Sequence, residues 1–349
     1  MRRFLKDQGL LKQPRARSPR SPGEAAARAR KAAAEVRSYE VEYVGALWHL
    51  DFHHGSRKVL VESGAYVTPI LFGVLDDRSR LCCHLQWYLD EGARELVHGL
   101  GQAFLKRGLP RALLTDNGGA MLAAETTQGL ARLSILHETT LPNSAYQNGK
   151  QESFWGQIEG RLLPMLEGKK DLTLPLLNQA TQAWVEGEYN RALHREMGAA
   201  PLTRFLEDRS VLRPSPTAEA LRETFRQQAT RTQRRSDGTV SIEGVRFEVP
   251  SRFGHLERLC VRYARWDKTH ASLVDERRGE TLGTLYPVDK ARNAEGHRGP
   301  RLPPGAPVER REAAEEVAPL LTKLMADYAR TGLPAAYLPL VDATPGTEP

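Results

Sequence analysis

Within Leu47-Trp48-His49-Leu50-Asp51-Phe52, one carboxylate interrupts a run that otherwise reads as a buried strand. An unpaired charge in apolar surroundings must be neutralised or matched, so a fold that buries this strand has to bring Asp51 a partner. A divalent cation matches it well. A second short apolar run, Ala112-Leu113-Leu114, leads into Thr115-Asp116-Asn117-Gly118-Gly119, whose Asn-Gly-Gly stops the strand sharply. Asp116 is therefore expected at a strand's exit. Glu152 lies in Asn148-Gly149-Lys150-Gln151-Glu152-Ser153-Phe154, at the start of a segment where Phe154, Ile158, Leu162 and Met165 recur at helical spacing. It falls roughly on the opposite side of that helix, looking away from the core. Three convergent carboxylates hold hard Mg²⁺ or Mn²⁺ ions through oxygen and leave positions for waters and substrate phosphates. Two such ions can activate an attacking oxygen and stabilise a leaving one in an in-line phosphoryl transfer.

Composition narrows the field of partners. The 349 residues are 27% charged and 40% hydrophobic, which is ordinary for a globular chain long enough for two domains plus extensions. No run approaches a membrane span, and the basic N-terminus lacks the apolar block of a secretory signal, so the expectation is a cytosolic protein. The net charge of +7 is uneven: residues 1–37 hold 11 of the 50 Lys and Arg but only 3 of the 43 acids. The basic excess sits in that arm, and a polyanion such as nucleic acid is the partner it favours. Cys82, Cys83 and Cys260 cannot all pair, and two are adjacent, which suits neither a disulfide framework nor a Cys-x-x-Cys zinc site. His53-His54 has no second ligand pair at finger spacing, so no structural zinc is expected.

With 35 residues between Asp116 and Glu152, the set Asp51, Asp116 and Glu152 resembles the Asp-Asp-(35)-Glu pattern of the DDE transposases of the retroviral-integrase-like insertion-sequence type. Trp48-His49-Leu50-Asp51, Asp76-Asp77-Arg78-Ser79-Arg80, Thr115-Asp116-Asn117-Gly118 and Asn148-Gly149-Lys150-Gln151-Glu152 stand in that family's order. The resemblance spans roughly residues 44–205 and continues more weakly to about 295. It implies an RNase H-like core and two Mg²⁺ (or Mn²⁺) ions held by the three acids. The implied activity is 3′-end cleavage followed by strand transfer on DNA. The implied partners are element terminal repeats, target DNA and further copies of the chain, acting at the bacterial nucleoid. It also implies DNA contacts by Asn148 and Lys150, with Tyr146 and Gln147 on the same surface. A nuclease that cuts without joining, and a catalytically idle DNA-binding protein, are the alternatives.

Taken in order, residues 1–40 read as a basic arm: a short helix at 3–8, a Pro/Arg/Ser stretch and an Ala/Arg-rich helix at 24–36. Beside the resemblance, it looks like the last helix of a helix-turn-helix; the bland reading is a solvated linker. The catalytic core is expected over 41–208, with strands Leu47–His53, Tyr66–Leu75 and Leu81–Tyr88, a helix over Gly92–Lys106, the strand before Asp116, a helix near 121–131 and a strand near 135–138. Three antiparallel strands followed by alternating helices and parallel strands give the fold class: α/β, an RNase H-like mixed five-stranded sheet with flanking helices, then a small all-β barrel. Residues 209–236 read as an Arg-rich helical linker with Arg231, Arg234 and Arg235 as candidate DNA contacts. Alternating residues around Glu243-Gly244 and strands near 259–263, 271–274 and 281–286 make the barrel, 237–295, which resembles the one following the core in phage Mu transposase. A linker, an amphipathic helix over 308–332 and a disordered tail fill 296–349; the helix docks on its own chain or on a second protomer.

Four residues near the acids carry two readings each. Asp76 and Asp77 are rivals for the metal, or turn residues whose carboxylates cap backbone groups. Glu159 shares a helical face with Glu152 as an outer partner or a solvated residue. His49 should point to the same side of its strand as Asp51, as a supporting group or a satisfied core histidine.

Overall fold

A computed structural model describes residues 40–140, 149–289 and 317–331. The chain divides into two units, Met1–Tyr39 and Glu40–Pro349, and every described residue lies in the second. The helices expected at 3–8 and 24–36, and Tyr146, Gln147 and Asn148, lie outside the described residues.

The five-stranded sheet is built from β1 (Leu47–His54), β4 (Ile70–Asp76), β5 (Cys82–Tyr88), β6 (Ala112–Thr115) and β7 (Leu136–Thr139), in the order β5-β4-β1-β6-β7. β1, β4 and β5 pair antiparallel; β6 and β7 run parallel to β1. This is the mixed sheet expected from the sequence. The strand expected over Tyr66–Leu75 is broken: Tyr66–Val67 (β3) pairs with Val59–Leu60 (β2), and Pro69, which has no N–H to give a ladder, separates it from β4.

The period-2 alternation of β1 sorts its side chains between two cores. Trp48 and Leu50 join Phe72, Val74 and Leu113 under α1 (Ala93–Arg107) and α2 (Ala124–Arg132). The opposite face of the sheet packs Leu71, Leu85 and Trp87 against α3 (Gly149–Gln157) and α4 (Leu174–Trp184). After Gln157 the chain loosens into a π-turn, Ile158–Leu162, and then tightens into a 3₁₀ turn, Leu163–Leu166. These turns bury Leu163 and Leu166 as well as Ile158 and Leu162, beside Phe154 of α3, so the helix expected to run through Met165 changes winding to keep its apolar side inward.

Beyond α5 (Pro201–Glu207) and α6 (Ala218–Thr224), a closed barrel runs in the order β10-β13-β12-β11-β8-β9. Its strands are β8 (Gln227–Arg234), β9 (Thr239–Ile242), β10 (Val245–Glu248), β11 (Arg258–Ala264), β12 (Asp267–Val274) and β13 (Thr281–Pro287). All of its pairings are antiparallel. Within the Arg-rich helical linker expected over 209–236, α6 is a helix, whereas Gln227–Arg234 is strand β8. Its sequence, Gln-Gln-Ala-Thr-Arg-Thr-Gln-Arg, has no apolar alternation to read; the ladder to β11 and the two-residue overlap with β9 make it a strand.

The barrel is seated on α2. Phe225 is buried, its ring against Gly129 and stacked on Phe104 with centroids 6.4 Å apart. The guanidinium of Arg265 donates two 3.0 Å hydrogen bonds to the buried carboxylate of Glu125. α7 (Pro319–Arg330) docks on its own chain, with Leu321 buried, Leu324 against Gly187 and the Ala318 N–H donating to the Met165 carbonyl at 2.8 Å. Among the described residues no helix is long and apolar enough to cross a membrane.

Candidate active site

Strand register brings the first two acids together. His49 on β1 is level with Leu114 on β6, so Asp51 and Asp116, each two residues further along, come near enough for the charge of Asp116 to act on Asp51. Both belong to the face that α3 covers. Asp116 ends its strand in an Asx turn, its Oδ1 accepting the Gly118 N–H at 2.9 Å. The Asn117 side-chain amide ties the turn to the Thr140 carbonyl at 2.8 Å, and the Thr140 N–H bonds the Thr115 carbonyl at 2.8 Å.

Their electrostatics follow from the register. Burial, and then the charge of Asp116, push the Asp51 carboxyl up to about 6. The Phe52 N–H, at 2.9 Å from Asp51 Oδ1, and the Trp155 indole work against that rise without cancelling it. Two carboxylates that repel at the edge of a core are a donor set that a hard divalent cation fits.

The third acid is carried by α3, which is fastened to the β1 stripe His49-Asp51-His53 at two points. At one, Lys150 pairs with Asp77, whose Oδ1 also lies 2.6 Å from His49 Nε2. At the other, Glu159 takes His53 Nε2 at 2.9 Å and the Ser56 N–H at 3.2 Å. Four residues of strand and nine of helix each span about 13.5 Å, so the two ties match, and α3 with the π-turn that carries Glu159 runs parallel to β1, with Glu152 between the ties in sequence. Glu152 itself is exposed. Among the described residues no three His, Cys, Asp or Glu side chains are grouped closely enough to hold a metal ion. Asp51 and Asp116 are thus brought together, and Glu152 stands on the neighbouring helix.

The remaining candidates divide. Asp76 is wholly buried and accepts the Gly45 N–H at 2.7 Å, the Trp48 indole at 3.1 Å and both the N–H and hydroxyl of Ser79 at 2.8 and 2.7 Å. Asp77 is buried too; burial pushes its carboxyl up, but the bonds from His49, Lys150 and the Val41 N–H outweigh that and hold it at about 2. Both acids are turn residues in structural roles, and the capping reading describes them. Lys150, the lysine expected on DNA, pairs with Asp77, and His49 faces Asp77 as well. Asn148 lies outside the described residues. Arg231, Arg234 and Arg235 stand on β8 or just past it, each near an acid: Glu243 at 3.8 Å, Asp237 at 4.0 Å and Glu257 at 3.5 Å. Arg231 also lies 5.5 Å over the Tyr263 ring.

Sequence reasoning passed over Trp155. Its indole lies against Gly73, where any side chain would strike it, and stacks on His53 with centroids 5.4 Å apart and planes 17° apart. Gly73 is the cross-strand partner of Asp51, and Gln151 Nε2 donates to its carbonyl at 3.2 Å. The available signal was Trp155 at i+3 from Glu152, on the flank of the helix rather than in its apolar stripe.

No protein-family model matches the sequence, and no curated protein is similar to it. Several solved structures are similar. The HTLV-2 integrase catalytic core domain in complex with magnesium is 19% identical, with a TM-score of 0.38 over 47% of this chain and 97% of that one. The catalytic core domain of BIV integrase is 20% identical, with a TM-score of 0.37 over 47% and 95%. The simian T-cell lymphotropic virus intasome in complex with PP2A regulatory subunit B56 gamma is 16% identical, with a TM-score of 0.43 over 71% and 78%.

Proposed function

We propose that the chain is a metal-dependent polynucleotidyl transferase of DNA integration, an insertion-sequence transposase that frees a 3′ end of its element and joins it to target DNA. The observation that carries this reading is the parallel pairing of β1 and β6 in an RNase H-like sheet, which supports a site that draws Asp51 from β1 and Asp116 from the turn just past β6. The four ordered motifs around Asp51, Asp76-Asp77, Asp116 and Glu152 support it independently.

Asp51 and Asp116 would hold the metal, with Glu152 assigned as the third ligand. A bound Mg²⁺ or Mn²⁺ supplies charge neutralisation and lowers the pKa of bound water. The chain's own groups do the rest. The Phe52 and Gly118 N–H groups orient the two carboxylates, and Trp155 and His53 wall the site on the side of α3. The ties at Lys150 and Glu159 set where Glu152 stands. DNA contacts are assigned to Asn148, Lys150, Arg231, Arg234 and Arg235, and synapsis of two element ends requires at least a dimer.

The test is strand cleavage and joining in Mg²⁺ on labelled DNA from the flanks of the gene, wild type against Glu152→Gln. Joining by the wild type alone is the expected result. Cleavage without joining would leave an RNase H-like nuclease. A second reading, a catalytically idle DNA-binding protein, is favoured by one observation: the third acid is not gathered with the other two among the described residues. DNA binding unchanged by Asp116→Asn, with no cleavage by either form, would establish that reading instead.

A further inference from the structure

Four arginines crowd the seam between α2 and the barrel, and they are of two kinds. Arg265 is neutralised by Glu125 at 3.0 Å, and Arg226 by Glu223 at 2.9 Å and by Asp267. Arg132 and Arg262 form no ion pair among the described residues. Arg132 spends Nη1 on the carbonyls of Thr224 and Arg226, 2.6 Å each, and Nη2 on Gln128 Oε1 at 3.0 Å. Arg262 spends Nε on Gln228 Oε1 and Nη2 on the Gly279 carbonyl, both at 3.0 Å. Every one of these acceptors is neutral, and a guanidinium has five N–H donors, so each side chain keeps its full charge and donors to spare.

The two charges feel each other: burial, and next the charge of Arg262, push Arg132 down to about 10. Glu276 acts on nearby Cys260 from the same neighbourhood as both arginines yet pairs with neither. Beside them opens a cleft of about 340 Å³ lined by Gln128, Ala131, Arg132 and Gln228. Its walls are fixed, because the Gln228 N–H donates to Gln128 Oε1 at 2.7 Å across the seam. Two like charges held on a rigid frame beside an open cleft lack one component, an anion.

We propose that this seam is a phosphate-binding site that takes the sugar-phosphate backbone of DNA, separate from the three acids. The choice of DNA rests on the function proposed above; the anion chemistry does not. A phosphate accepts paired N–H donors from guanidinium groups, and the amides of Gln128 and Gln228 supply neutral donors beside them. Position adds to the assignment. β6 begins level with Leu136 and ends at Thr115, just before Asp116, and α2 then returns the chain, so Arg132 lies toward the other end of β6 from Asp116. The backbone held here belongs to duplex away from the scissile phosphate.

Ala131 lines the cleft and is exposed, and replacing it removes no hydrogen bond of Arg132. The experiment measures affinity of the full chain for a 30-base-pair duplex by fluorescence anisotropy across a salt series, for wild type, Ala131→Glu, Ala131→Lys and Arg262→Gln, with thermal unfolding of each. Ala131→Glu and Arg262→Gln are expected to weaken binding about tenfold and to flatten the salt slope by about one, with Ala131→Lys equal to wild type or tighter. Unchanged affinity and slope in both weakened variants overturns the site. If the wild type binds no DNA, the proposed function fails by itself, and inorganic phosphate decides the seam. A phosphate-induced rise in the unfolding temperature that Ala131→Glu abolishes keeps an anion site, with free phosphate as its source, and no rise in the wild type removes it.

Discussion

Two pairs of acids lie on the same sheet, and they are held in opposite ways. The turn after β4 surrounds Asp76 with four donors and ties Asp77 to His49, Lys150 and Val41. The pair in mid-β1 and just past β6 has one backbone N–H each, the Trp155 indole near Asp51, and repulsion between its members. A carboxylate that the fold needs is given its donors by the fold. One whose charge is only partly met is held for something that arrives later, and the difference is visible in the bonds before any activity is known.

The contrast is broken most directly by activity. Asp116→Asn should lower strand transfer by about 10³-fold while leaving the unfolding free energy unchanged or higher, since it relieves Asp51 of a like charge. Equal loss of stability and activity would make Asp116 structural. The converse change, Asp76→Ala, strands the Gly45 N–H, the Trp48 indole and Ser79 inside the core, and urea titration should show a loss of about 3–4 kcal/mol.

The pH dependences should run in opposite directions. Asp51, raised to about 6, contributes stability that is fully present below its unfolded value of 3.8 and is lost as pH rises through 6. With metal chelated, the wild type should therefore gain about 2 kcal/mol relative to Asp51→Asn between pH 7 and pH 4. Asp77, depressed to about 2, contributes stability that is present above 3.8 and lost as pH falls through 2. Lys150→Met removes one of the bonds that hold Asp77 down, and should cost about 1 kcal/mol at neutral pH and raise the midpoint of acid unfolding. The smallest difference concerns metal. Millimolar Mg²⁺ should raise the unfolding temperature of the wild type by a few degrees through binding to the native state, and Asp51→Asn should abolish the rise. An equal rise in both proteins would move the ion elsewhere.

Much of this was readable along the chain because it is local. The alternation in Trp48-His49-Leu50-Asp51, the stop at Asn117-Gly118 and the hairpin at Glu243-Gly244 each depend on a few neighbouring residues. What could not be read is the pairing of distant groups. Lys150 and Asp77 are 73 residues apart, and nothing in either neighbourhood marks the other as its partner. β8 escaped for a related reason: a strand of Gln, Thr and Arg is defined by the ladder it joins, not by its own alternation. The changes of winding after Gln157 keep apolar residues inward at nearly the same spacing as a plain helix, so periodicity alone does not separate the two.

The seating of Phe225 against Gly129 and Phe104 bears on how such a chain can be inherited in pieces. A shortened chain ending near residue 208 would bare that aromatic surface and leave Glu125 buried opposite no cation, so the sheet without its barrel should be poorly soluble. Shuffling a foreign barrel onto this core would fail unless the graft carried residues equivalent to Phe225 and Arg265 with it. The joint, more than the barrel's outer surface, is what recombination between relatives would have to preserve.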